Sequence, residues 1–270
     1  MRSRACLVVA LSTGCQFQHG NPASQDAPDV RDALPDTLEI DAGSPRVTSG
    51  LIGFWTFDDP PGSRMLADTS GTTAPVPLEI ITSSTIAAPV VADGMLTAEI
   101  PGRVASKPST HLSADCQIAG GVTLEAWIRP SAPIQGTASQ QKFVVGLAAN
   151  ITSRNVAILQ AGGTWVGRVR TTPAADGTPS LESTSMASTT GMTHVVIAAD
   201  ATTRVMYVND VAEAVGAPGA PMGWDLTYPM VAIDEYQHAR QWTGSIALVA
   251  LYSRALTAPE VHQNFVAGPQ

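Results

Sequence analysis

The chain has 270 residues, of which 44% are hydrophobic and 14% are charged, and its net charge at pH 7 is −8. This length and apolar content allow one large all-β domain or two ordinary ones. The negative charge argues against a partner with a phosphate backbone. No run of about eighteen apolar residues occurs, so the sequence predicts no membrane-spanning helix in the mature chain.

Residues 1–15, MRSRACLVVALSTGC, have the pattern of an export signal, with Arg2 and Arg4 before a short apolar core. The small residues directly before Cys15 resemble a bacterial lipobox, although Ser12 stands where lipoboxes prefer an aliphatic residue. The resemblance implies that Cys15 is lipidated and becomes the first residue. We therefore expect export to the cell envelope, with a lipid anchor at the outer membrane or surface, or secretion. The alternative is a buried N-terminal strand.

Residues 16–49 predict an acidic, disordered tether. They carry six acidic residues against two arginines, and four prolines. Such a composition cannot bury enough apolar surface to offset the entropy of ordering. The predicted domain therefore runs from residue 50 to residue 270.

From residue 51 onward, short apolar segments alternate with turn residues at intervals of about ten residues, which is typical of an antiparallel β-sandwich. The segment 51–58 is the first, and 122–129 is among the strongest, with Val122, Leu124, Ala126 and Ile128 on one face. The further predicted strands are 76–82, 95–100, 103–106, 142–149, 155–161, 164–171, 193–200, 203–209 and 230–235.

The segment 244–252 is apolar on both faces, which predicts a strand covered on both sides. Alternation puts Ile246, Leu248, Ala250 and Tyr252 on one face and Ala247, Val249 and Leu251 on the other. After it, Thr257 and Glu260 have the spacing of a capping box and predict a short C-terminal helix.

Four of these stretches resemble LamG-like jelly-roll domains of the concanavalin A-like superfamily, in that family's order. They are LIGFWTFDD from residue 51, VTLEAWIRP from 122, THVVIAADATTRVMYVND from 193 and WTGSIALVALYSRALTAPEV from 242. The resemblance covers roughly residues 50–266. It implies an all-β, two-sheet jelly-roll sandwich in which the first and last strands are neighbours. Because this fold carries lectins, enzymes and adhesion modules, it leaves the activity open.

The chain has three cysteines, Cys6, Cys15 and Cys116. If Cys15 is lipidated, Cys116 is unpaired, and we expect it to pack as a small apolar residue near a turn at 116–118. A Cys15–Cys116 disulfide is the alternative.

Catalytic motifs of the resembling hydrolases and lyases do not occur in the sequence. Retaining hydrolases of this type carry E-x-D-x-x-E on a strand, which brings two carboxylates together. The one Glu-x-Asp here, at residues 39–41, lies in the predicted tether. The sequence therefore favours a domain that is not an enzyme, with a divergent carbohydrate-active enzyme as an alternative.

Calcium is a possible cofactor, because sandwich domains of this type often hold it in rim loops through carboxylates and carbonyls. The acidic residues that could serve in this role, at strand ends or in a turn, are Asp58, Asp59, Asp68, Asp234 and Glu235. The family's Asp-Glu pair in the last strand is replaced here by Ala247 and Leu248. The alternative is that these acids are solvated turn residues.

A sugar site would need aromatic rings beside polar groups, and the candidates are Trp224, Tyr228, Tyr236 and Trp242. Trp55 and Trp127 lie in strong strands, where we expect core packing. Together these observations predict a surface-anchored binding module for a glycan or a surface protein. A structural or adhesive protein–protein module is the first alternative.

Overall fold

The structure, a computed structural model, describes residues 45–82, 88–99, 102–235 and 240–269. The predicted signal, Cys15, most of the tether and Tyr236 lie outside these ranges. The described residues form sixteen strands and two helices. In chain order they are β1 (Leu51–Trp55), β2 (Met65–Leu66), β3 (Leu78–Ile81), β4 (Val90–Ala92), β5 (Met95–Ala98), β6 (Arg103–Ser106), α1 (Thr110–Ala119), β7 (Gly121–Pro130), β8 (Lys142–Asn150), β9 (Ser153–Ala161), β10 (Thr164–Val169), β11 (Leu181–Met186), β12 (Thr193–Asp200), β13 (Arg204–Val208), β14 (Val211–Val215), β15 (Met230–Ala232), β16 (Gly244–Tyr252) and α2 (Ala258–Ala267).

The strands form two eight-stranded antiparallel sheets. Sheet A has the order β14-β13-β12-β7-β16-β5-β4, and β1 also pairs with β16. Sheet B has the order β11-β10-β9-β8-β15-β6-β3-β2. The predicted all-β two-sheet sandwich is therefore confirmed.

The first and last strands are neighbours, as the resemblance implies. Leu51 lies opposite Tyr252, and Trp55 lies opposite Val249. Since β16 also pairs with β7 along most of its length, the chain's final strand lies inside sheet A. That position explains its two apolar faces, both of which are buried.

A bulge in β16 changes the predicted faces of this strand. The register against β7 shifts between Ile246 and Leu248. Ile246 therefore packs between the sheets with Val249 and Leu251, while Leu248 packs on the outer face with Tyr252. The prediction that Ile246 and Leu248 share a face was wrong, because strict alternation fails where an extra residue enters the ladder.

The C-terminal helix α2 covers the outer face of sheet A. Its start is the predicted Thr257–Glu260 capping box, in which the Glu260 carboxylate accepts the Thr257 N–H at 2.8 Å. The Phe265 ring stacks on Trp127 with centroids 5.7 Å apart. Trp127 is buried, as expected, but beneath α2 rather than between the sheets.

Helix α1 was not predicted. It connects β6 to β7, and its buried residues are Leu112, Ser113 and Cys116. Cys116 is unpaired and buried, as expected, but it lies in this helix instead of a turn. Burial raises the pKa of the Cys116 thiol well above its usual range, with a smaller contribution from Asp115. A buried thiol of this kind is inert.

The folded domain begins before the predicted boundary at residue 50. Arg46 forms an ion pair with buried Glu125, and the Val47 N–H donates to Asn264 Oδ1 at 2.9 Å. The composition of the neighbouring residues, which are acidic and include proline, assigned these two residues to the tether. In the structure the Arg46 side chain pairs with β7 and the Val47 N–H bonds to α2. Among the described residues, no helix is long and apolar enough to cross a membrane.

Candidate functional site

A pocket of about 320 Å³ opens where the outer face of sheet B meets the start of α1. It is lined by Met65 on β2, residues 74–77 and Glu79 at β3, residues 107–109 after β6, and His111 on α1. Its size is at the small end of the range for small-molecule sites.

The strand register explains why these residues face outward. Met65 lies opposite Glu79, and Glu79 lies opposite Ala105. Their sequence neighbours Leu66, Leu78 and Val104 point inward and belong to the core between the sheets. Because side chains alternate along a strand, Met65 and Glu79 face away from that core.

Lys107, Ser109 and His111 bring polar groups and a positive charge to the pocket lining. Lys107 is exposed, and the Ser109 hydroxyl lies 2.8 Å from His111 Nδ1. His111 Nε2 is buried and has no hydrogen-bond partner among the described residues. Of these three residues, Lys107 is therefore the one whose side chain is both exposed and without a hydrogen-bond partner in the described ranges.

The Glu79 carboxylate belongs to the same lining, with Pro77 and with Met65, which is 50% exposed. In the part of the chain that the structure describes, neither Glu79 nor Lys107 takes part in an ion pair. Both charges are thus free to bind polar groups of a ligand, next to the apolar surface of Met65 and Pro77.

Tyr228 is a predicted aromatic residue that is partly exposed, and it lies just before β15. Val231 on β15 lies opposite Ala105 on β6, and the Met230 N–H donates to Ser106 Oγ at 3.1 Å. Tyr228 is not among the residues that line the pocket.

A buried charge network beneath α2 has a different character. Glu125 on β7 accepts hydrogen bonds from His194 Nε2 at 2.9 Å and from Asn264 Nδ2 at 2.7 Å, and it pairs with Arg46. Burial alone would raise the pKa of Glu125, but His194 and Arg46 together outweigh burial and lower it to about 2. This network joins the N-terminal segment, sheet A and α2.

A second buried pair lies at β9. Arg154 donates from Nε and Nη2 to the two oxygens of Glu235, each at 2.6 Å. The β8–β9 register shifts at a bulge between Leu147 and Ala148, and Arg154 lies opposite Ala148 on the outer face of sheet B. Burial raises the pKa of Glu235, and Arg154 opposes this shift.

The five predicted calcium ligands do not come together. Asp68 accepts three backbone N–H groups, from Phe54, Ser70 and Val76, at 2.8–3.0 Å. Asp234 and Glu235 are fully buried. Asp58 and Asp59 share a pocket of about 250 Å³, and Asp59 also accepts the Ala67 N–H.

Calcium takes six to eight oxygen ligands. No group of three or more His, Cys, Asp or Glu residues in the described ranges is arranged to hold a metal ion. The predicted acidic residues therefore do not form one cluster of ligands in these ranges, and calcium binding stays a prediction.

Two of the four predicted aromatic residues are core residues. The Trp224 indole N–H donates to the Arg170 carbonyl at 2.8 Å, and the ring is 5% exposed. Trp242 is fully buried, and its indole N–H donates to Gln160 Oε1 at 2.7 Å. Neither ring offers a face to a ligand, because both rings are buried in the core.

The residues of the open pocket were missed by sequence reasoning. Met65, Glu79, Lys107 and His111 come from three separate segments, and no motif joins them. The one feature of the sequence that could have indicated the pocket is the set of prolines at 75, 77 and 108, because prolines mark loops at strand ends. That signal locates loops but does not show that they meet.

Comparison with known protein families identifies the domain. A family model described as the concanavalin A-like lectin/glucanases superfamily, of the laminin G type, matches residues 106–262, which is more than half of the chain. The chain belongs to the concanavalin A-like lectin/glucanase superfamily. The predicted LamG-like resemblance is thereby confirmed.

Solved structures with this concanavalin A-like fold include enzymes and binding domains. A Trypanosoma rangeli sialidase in complex with sialic acid has a TM-score of 0.56 at 15% identity, covering 81% of this chain and 33% of the sialidase. The binding domain of botulinum neurotoxin DC, in complex with rat synaptotagmin II, has a TM-score of 0.58 at 10% identity, covering 83% of this chain and 52% of that chain.

A structure of botulinum neurotoxin type C, whose cell entry depends on two ganglioside molecules, gives a TM-score of 0.58 at 11% identity, covering 82% of this chain and 52% of that chain. At these identities the likeness shows the fold alone. The chain spans about a third of the sialidases and about half of the toxin chains. No curated protein matches the sequence.

Proposed function

We propose that this concanavalin A-like domain is a non-catalytic module that binds a glycan in the pocket between β2, β3 and the start of α1. The observation that carries the proposal is the pair of unengaged charges, Glu79 and Lys107, in one open pocket. Carbohydrate sites combine a few placed polar groups with apolar surface for the ring, and Met65 and Pro77 supply that surface.

The carboxylates support binding rather than turnover. Glycoside hydrolysis uses two carboxyl groups on either side of the scissile bond. Among the described residues that line this pocket, Glu79 is the one carboxylate. The buried carboxylates Glu125 and Glu235 accept hydrogen bonds on both oxygens. They serve as structural acceptors in this arrangement.

A glycan array probed with the purified protein tests the proposal, in parallel with calcium and with a chelator. We expect retention of a defined group of glycans. The variant Glu79→Gln should weaken that binding roughly tenfold, because it removes a charged hydrogen-bond acceptor. Glu182→Gln is the matched control, since Glu182 is an exposed glutamate on the edge strand β11 of the same sheet.

A protein–protein module and an enzyme, the two alternative functions, predict other results on the glycan array. A protein–protein module would retain no glycan in either condition but would bind a defined surface protein in a pulldown. An enzyme would release products from the retained glycans. The Asp58–Asp59 pocket is the place to test for such turnover, and Asp58→Asn should abolish it if it occurs there.

We also propose that the protein is exported and held at the cell envelope through a lipid on Cys15, with the acidic segment as a spacer. The proposal is supported by the signal-like residues 1–15. Cys15→Ser should release the protein from the membrane fraction of cells. Unchanged membrane retention of this variant would contradict the anchor.

A further inference from the structure

We propose that Glu213 on β14 closes one open side of the sandwich and so keeps β14 from pairing with the same strand of a second copy of the chain. At this side β14 is the last strand of sheet A and β11 is the last strand of sheet B. Each has an edge that no further strand of the described chain covers, and the two strands contact each other across the gap between the sheets. An uncovered edge is a template for pairing with another chain.

The Glu213 carboxylate joins the two edges directly. It accepts the backbone N–H groups of Thr184 and Ser185 on β11, each at 2.8 Å. The hydroxyls of the same two residues also donate to it, that of Thr184 at 3.3 Å. One side chain from sheet A therefore occupies donors that the edge of sheet B would otherwise offer to an incoming strand.

Both strands leave regular pairing where the carboxylate joins them. In sheet A, Ala212 and Ala214 lie opposite two consecutive residues of β13, so Glu213 between them has no residue opposite. In sheet B, the β10–β11 register shifts within residues 182–186 of β11. Bulges bend an edge strand and interrupt its ladder, and inward-pointing charges protect edges in a similar way. The two bulges and the carboxylate therefore protect the same side of the sandwich.

The rest of β14 favours the pairing that Glu213 opposes. Its sequence VAEAV reads the same in both directions, and Glu213 is its one charged residue. Antiparallel pairing of two copies centred on residue 213 would bring Val211 opposite Val215 and the two glutamates opposite each other. Val211 is 62% exposed and Val215 is 76% exposed, so apolar side chains flank the centre. Like charges directly opposite each other destabilise a strand pair, so two carboxylates released from β11 would repel.

Sedimentation velocity of the purified protein over a range of concentrations tests the inference. We expect Glu213→Val to self-associate at a concentration roughly tenfold lower than the wild type, because its edge is uninterrupted and apolar. Glu182→Val makes the same change at an exposed residue of β11 that has no bond to β14 in the described chain, and it should sediment as the wild type does. Adding Val215→Lys to Glu213→Val should restore wild-type sedimentation, since a lysine on an edge strand opposes pairing.

Amide hydrogen exchange, measured below the concentration of self-association, reports the contact itself. In Glu213→Val the N–H groups of Thr184 and Ser185 should exchange roughly tenfold faster than in the wild type, because their bonds to the carboxylate are lost. Glu213→Gln keeps the size of the side chain and decides the question if the valine variant does not fold. It should show faster exchange at these two amides and a smaller increase in self-association.

Several outcomes would overturn the inference. Glu213→Val that folds and sediments as the wild type does would show that Glu213 blocks nothing. Equal self-association of Glu182→Val would assign the effect to loss of any surface charge, and association that survives Val215→Lys would place the contact away from β14. For Glu213→Gln, wild-type exchange at Thr184 and Ser185 would show that the carboxylate does not hold the two edges together. None of these results depends on glycan binding, because no residue of β11 or β14 lines the proposed pocket.

Discussion

At the scale of single residues, Glu125 is the buried charge on which the outer face of sheet A depends. Its oxygens accept bonds from three elements, the N-terminal segment, β12 and α2. Replacing it with glutamine leaves Arg46 facing a neutral amide. We expect Glu125→Gln to lower the free energy of unfolding by about 3–5 kcal/mol, measured by urea denaturation at pH 7.

The same residue predicts a dependence of stability on pH. The folded pKa of Glu125, about 2, lies below its ordinary value of 4.5. Its contribution is therefore complete above about pH 4.5 and is lost as the pH falls toward 2. In Glu125→Gln, the free energy of unfolding should fall less steeply as the pH is lowered from 4.5 to 2. Glu182→Gln changes an exposed glutamate and is the control. It should keep the wild-type pH dependence and a stability within about 0.5 kcal/mol of the wild type. A wild-type slope retained by Glu125→Gln would contradict the network.

At the scale of elements, the segment before β1 belongs to the folded domain. Val47 is buried against the outer face of sheet A, and its N–H reaches Asn264 on α2. A chain that begins at residue 45 keeps these contacts and the Arg46–Glu125 pair, whereas one that begins at residue 50 loses them. We expect the shorter chain to be less stable by about 3 kcal/mol in urea denaturation. Equal stability of the two chains would place the boundary at residue 50 after all.

The elements also show where sequence patterns reach their limit. Alternation located β7 and its inward face correctly, from Val122 to Ile128. It placed Ile246 on the wrong face because the bulge in β16 has no signature in the sequence. Helix α1 was not predicted because its apolar periodicity is weak. Its buried residues are only Leu112, Ser113 and Cys116.

At the scale of the whole molecule, the pairing of the first and last strands was predictable and the site was not. The pairing of β1 with β16 follows from segments that each carry a recognisable pattern. The pocket brings together Met65, Glu79, Lys107 and His111, which become neighbours only through strand register and the β6–α1 corner. The burial of the predicted aromatic residues was equally hard to predict. The indole N–H of buried Trp242 donates to Gln160, which lies 82 residues away in the sequence.

We expect the ligand to bind in the pocket between β2, β3 and the start of α1, and not at the buried charge networks. The most direct test is a crystal structure of the protein with a glycan selected on the array. We predict electron density for a sugar residue between Glu79 and Lys107, with its ring against Met65. Density at the Asp58–Asp59 pocket or elsewhere on the sandwich, with the β2–β3–α1 pocket holding only solvent, would contradict the account.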